Sequence, residues 1–177
     1  MLIMLRWCRV SLAGLLVAAG VLVSGAGPAH ALTVEQVCAG TEVTTYSPPL
    51  TFTRRPTTIT VTGIFPTCTD DQAINGSYTT TFTTPTSCLD LWNSGSATET
   101  LVWGGSAATP STFTFNVTAT ELAGQLVVTS TGLITDGMFS PAGAQKVVAL
   151  VTPNLLNCLT TGIASATGVT TLTIHRP

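Results

Sequence analysis

The side chains in this sequence that could do acid–base chemistry are few. Asp70, Asp71, Asp90, Glu99, Glu121 and Asp136 supply carboxylates, and a carbohydrate-active enzyme of glycosidase type needs two of them across a scissile bond, one as acid and one as nucleophile or base. None lies in a segment that suggests a deep cleft, and acids near turn residues ordinarily stay solvated. Nucleophilic catalysis of Ser-His-Asp or Cys-His type lacks a base, because His30 precedes an export cleavage site and His175 is next to the C-terminal end. No two of Cys38, Cys68, Cys88 and Cys158 stand two to four residues apart, so a zinc site is not expected. The segment DDQAINGS (70–77) offers Asp70, Asp71 and Asn75 to calcium, but it lacks the spacing and closing glutamate of an EF-hand loop, and turn chemistry explains it. No cofactor is implied. Ring faces for stacking on a sugar are the remaining candidates: Trp92 in CLDLWNSG, Trp103 at the end of LVW, and Tyr46.

These residues lie in a chain built for export. MLIMLRWCR carries Arg6 and Arg9, an apolar run follows, and Ala29-His30-Ala31 has the small-x-small form that signal peptidase cuts. Residues 1–31 are therefore read as a cleaved secretory signal and 32–177 as one secreted domain. No second apolar run of roughly 18 residues follows, so no membrane segment is expected after cleavage. Beyond the signal, Arg54, Arg55, Lys146 and Arg176 face Glu35, Glu42, Asp70, Asp71, Asp90, Glu99, Glu121 and Asp136, a net charge of −4. Scattered cations in an acidic chain give no footprint for a phosphate backbone, which excludes nucleic acid as the expected partner. An even set of cysteines in an exported chain reads as disulfides. Pairing of sequence neighbours gives Cys38–Cys68 and Cys88–Cys158, each contributing roughly 3–4 kcal/mol in the chain-entropy model.

Threonine makes up about a quarter of residues 32–177, with Val, Ile and Phe between. Such β-branched alternation predicts strands. Nine are expected: Glu42–Tyr46, Leu50–Arg54, Thr57–Ile64, Ser77–Thr84, Thr98–Trp103, Thr112–Thr120, Gln125–Thr131, Lys146–Val151 and Val169–His175. A helical turn is expected near Asn154–Leu159 and a hairpin loop at Glu121–Gly124. The fold class is all-β, an antiparallel β-sandwich (Greek-key or immunoglobulin-like) or a barrel, stapled by two disulfides. Two-residue periodicity points Ile59, Val61, Phe113, Phe115, Leu172 and Ile174 inward and Thr58, Thr60, Thr62, Thr112, Thr114, Thr171 and Thr173 outward. QKVVALV (145–151) is apolar on both parities, which predicts a strand covered on both faces or set against a partner.

The landmarks CAGTE, TYSPPLTFTRRPTTITVTG, GSYTTTF, SCLDL, STFTFN, QLVVTSTGLITDGMF and NLLNCLTTG together resemble small Thr-rich secreted four-cysteine proteins of actinomycetes. That group has no assigned activity, so the resemblance implies an exported bacterial β protein and carries over no site residues. The expected function is a non-catalytic binding or structural module, secreted or associated with the cell envelope, with a cell-wall polysaccharide or an extracellular protein as partner. Self-association through the uncharged sheet is also open. The alternatives are a protease inhibitor presenting CLDLWNSG or FPTCTDDQ, and the carbohydrate-active enzyme above.

Overall fold

A computed structural model describes residues 33–92, 94–123, 125–151 and 155–176; the expected signal peptide lies outside them. Ala31–Pro177 forms a compact unit by itself. Eight strands follow one another: β1 (Thr33–Leu50), β2 (Arg55–Cys68), β3 (Asn75–Thr86), β4 (Gly95–Gly104), β5 (Ser111–Leu122), β6 (Gln125–Gly137), β7 (Ala142–Val151) and β8 (Ile163–Arg176). Short 3₁₀ turns at Cys88–Trp92 and Leu155–Leu159 interrupt the series, the second where a helical turn was expected.

Each strand pairs antiparallel with the next, and β8 returns to β1 from Thr33↔Arg176 to Leu50↔Ile163, closing the sheet into a barrel. Of the two architectures expected, the barrel is the one formed, and its links run up and down, not as Greek keys. The physical reason is local: a connection such as 51–54 is too short for anything but a hairpin, and β8 lies along almost all of β1, so closure removes both sheet edges. The strand list changes for a related reason. SPP does not break the chain: β1 continues through Ser47-Pro48-Pro49 to Leu50, and the predicted strand Leu50–Arg54 is the turn that follows.

The pleat is as expected where the barrel is filled. Phe113, Phe115, Leu172 and Ile174 are buried, and Ile59 and Val61 face the interior. Outward threonines pair across strands: Thr58 with Thr83 at 3.0 Å, Thr60 with Thr81 at 3.1 Å and Thr98 with Thr114 at 3.2 Å, hydroxyl to hydroxyl. QKVVALV is corrected. Lys146, Val148 and Leu150 are buried inside the barrel, while Val147 and Ala149 are half-buried on the outside beside the β-branched neighbours Thr129, Thr171, Val127 and Val169.

The two disulfides are Cys38–Cys68 and Cys88–Cys158. Cys38–Cys68 joins register partners on β1 and β2, at the end of the barrel filled by Phe65, Leu101, Trp103, Phe113, Ile134, Leu172 and Ile174. Cys88–Cys158 ties the two 3₁₀ turns together at the opposite end, packed with Leu50 and Ile163.

Candidate functional site

Between these ends the barrel is hollow. A cavity of about 270 Å³ is lined by apolar side chains from most of the strands, among them Ile59, Val61, Phe115, Val117, Val128 and Val148. At its inner end sit three charged groups that periodicity places inside: Glu42 on β1, Glu99 on β4 and Lys146 on β7, which are 6%, 5% and 3% exposed. Lys146 reaches across the barrel and donates from Nζ to both Glu99 oxygens, at 2.8 Å each, while Glu42 Oε2 lies 3.6 Å away. The ammonium also stands over the Tyr78 ring, 3.9 Å from its centroid.

A missing side chain makes room for this arrangement. Glu42, Gly63 and Tyr78 are register partners in a row across β1, β2 and β3. A Cβ at Gly63 would fall 2.1 Å from Tyr78 Cζ. With none there, the phenol lies across β2 and donates its hydroxyl proton to Glu42 Oε2 at 2.5 Å. Alanine at 63 would displace the ring and break that bond.

Burial sets the electrostatics. It pushes the Glu99 carboxyl above the usual carboxylate range; the Lys146 charge and hydrogen bonds pull it down and the Glu42 charge adds to the rise. Tyr46, which lines the cavity, is pushed up to about 12 by burial and then by the Glu42 charge. Tyr78 is raised by the same causes, aided by its bond to Glu42. Both phenols therefore stay neutral donors at neutral pH.

The cavity has a slot in its wall. Among the described residues β3 and β4 pair only at Asn75↔Gly104, Gly76↔Trp103 and Ser77↔Val102. Beyond Ser77 the two strands diverge toward the Cys88–Trp92 turn. Phe82 and Ala97 keep the inward parity of their strands and line the cavity, yet Phe82 is 46% exposed and Ala97 is exposed. Thr98 points outward to Thr114 and still borders the cavity, so the opening passes around the edge of β4.

The sequence candidates fall in different places. Tyr46 and Glu99 are brought together in the cavity. Asp90 borders its mouth, accepting from the Ser87 amide and hydroxyl and standing 3.5 Å from Arg54. Glu121 and Asp136 are exposed on β5 and β6, away from it. Trp103 is buried at the filled end, its indole N–H donating to Ser111 and its ring edge-on to Phe139 at 5.5 Å, so it offers no face to a sugar. Trp92 closes the first 3₁₀ turn, and its side chain lies outside the described residues. In DDQAING, Asp70 accepts from the Gln72 amide while Gln36 binds Thr69, Asp70 and Ala73. This is turn chemistry anchored to the barrel, and among the described residues no cluster of His, Cys, Asp or Glu is fit to hold a metal ion.

Glu42 and Lys146 were missed by sequence reasoning, which counted them only toward net charge. The signal was parity: Lys146 alternates with Val148 and Leu150, and Glu99 with Leu101 and Trp103. No family model, curated protein or solved structure matches the chain.

Proposed function

We propose that this protein is an exported carrier that takes a small, largely apolar molecule into the hollow half of its barrel through the slot between β3 and β4. The observation that carries the reading is the cavity itself, with walls mostly of aliphatic and aromatic side chains among a few threonines and a buried charged cluster at its inner end. Apolar enclosure supplies affinity, and a few convergent polar groups fix orientation. Filling the space would be unremarkable for a hydrophobic core, but two carboxylates and an ammonium are costly to bury and are a specific equipment for recognition. The leader sequence, the disulfides and the resemblance to secreted actinomycete proteins support placing the carrier outside the cell. This is a binding module in which the ligand enters the barrel, instead of a polymer lying on its threonine-rich surface.

The test is a fluorescence titration of the oxidised protein with N-phenyl-1-naphthylamine, an apolar dye that brightens when enclosed. Saturable binding is expected. Ala97→Trp, which plugs the slot from an exposed position, is expected to weaken it by roughly tenfold or more with little change in melting temperature. No dye binding, or equal binding by Ala97→Trp, would sink the proposal.

A further inference from the structure

The charged end of the cavity is unequally engaged. Lys146 places two of its three N–H donors on the oxygens of Glu99 and is enclosed by the rings of Tyr78 and Phe115, the latter at 5.5 Å. Glu42 uses one oxygen: its contacts with Tyr78 and Lys146 both fall on Oε2. Oε1 accepts no hydrogen bond among the described residues, and Glu42 lines the cavity. Two carboxylates face one ammonium, an excess of one negative charge beside a space that can be entered from the slot.

We propose that the ligand is a primary amine with an apolar body, its ammonium bound by Glu42 Oε1 at the inner end and its hydrocarbon packed against Ile59, Val61, Val128 and Val148. This rests on the carrier reading and names its ligand class. Three features select that class. A cation completes the charge of the Glu42–Lys146–Glu99 cluster, whereas a carboxylate would meet two like charges around the single ammonium. The N–H donors of an ammonium match an acceptor, and a charge-assisted hydrogen bond in a low-dielectric site is the stronger kind. Tyr46 and Phe115 line the same cavity and present rings beside which a cation is stabilised.

The experiment compares octylammonium, 1-octanol and octanoate, which share one tail and differ in head group, by displacement of N-phenyl-1-naphthylamine at pH 7. Octylammonium is expected to bind about tenfold or more tighter than either, the size of one charge-assisted hydrogen bond. In Glu42→Gln the preference for octylammonium over octanol is expected to shrink to within about threefold. Octanol binding as tightly as octylammonium, octanoate binding best, or octylammonium failing to displace bound dye each overturns the amine assignment and leaves the carrier reading standing. Failure of the dye to bind native protein overturns the carrier reading itself. A preference that survives Glu42→Gln removes Glu42 from the site. Should that variant not fold, the head-group ranking on the native protein still decides the ligand class.

Discussion

The two halves of the barrel use the same strands for different ends. Toward Cys38–Cys68 the interior is filled by rings and aliphatic side chains: Phe113 and Phe115 pack at 4.6 Å, Phe65 and Tyr78 at 5.6 Å, and Trp103 buries its one donor on Ser111. Toward Cys88–Cys158 the inward residues are mainly Val, Leu and Thr, and they leave a cavity with charges at its inner end. β3 and β4 pair only in the first half, and the slot opens between them in the second. The filled half holds the barrel in shape, which lets the other half keep buried charge and empty volume. Dense packing and open volume are thus divided along the barrel axis, not between core and loops.

The largest loss of stability is expected from Lys146→Met. It leaves Glu42 and Glu99 buried without their counter-charge, and a loss of about 3–5 kcal/mol is expected in urea unfolding at pH 7. The loss should be smaller in acid, where Glu99, its carboxyl held high by burial, takes up a proton. A pair of truncations compares the halves directly. Phe113→Ala removes a ring from the filled end and is expected to cost about 3–5 kcal/mol. Val61→Ala, beside space that is already open, is expected to cost only about 1 kcal/mol, because its side chain has fewer contacts to lose. Equal costs would mean that the cavity closes in solution.

The smallest effect is a pH slope confined to the hollow half. Lys146 from β7, Glu42 from β1 and Tyr78 from β3 face Glu99, and burial outweighs Lys146 to hold its carboxyl high. The native protein then keeps a proton where an unfolded glutamate, with a value of about 4.3, has lost it. Stability should therefore fall as pH rises from there through the native value of Glu99, and Glu99→Gln should flatten the slope. At the alkaline end, Tyr46 keeps its proton up to about 12, so the stability linked to it is full below pH of about 10 and is lost as pH climbs through that native value.

Much of the filled half was legible in the sequence. Phe113 and Phe115 announce an inward face by alternation alone, as do Leu172 and Ile174, and the neighbouring cysteines pair as their order suggests. The hollow half was not, for two reasons. Closure depends on β8 finding β1, a pairing between the ends of the domain that no local pattern encodes, so sandwich and barrel read alike. The charged cluster joins side chains as far apart as Glu42 and Lys146, and each looks like an ordinary solvated charge until the interior they share is built. Prolines misled locally: Ser47-Pro48-Pro49 reads as a turn, yet it lies in an irregular stretch of β1 where the register with β8 shifts between Thr45 and Leu50.

The threonine pairs on the outside have a consequence for ionic strength. Thr58–Thr83, Thr60–Thr81 and Thr98–Thr114 satisfy one another without charge, and the exposed ion pairs reduce to Arg54–Asp90 and Arg176–Glu35 among the described residues. Mobile ions screen exposed charges and reach buried ones far less. The outer surface gives them few ion pairs to act on, and the charged cluster is buried at the inner end of the cavity, so sodium chloride from fresh water to brine should leave this barrel almost equally stable.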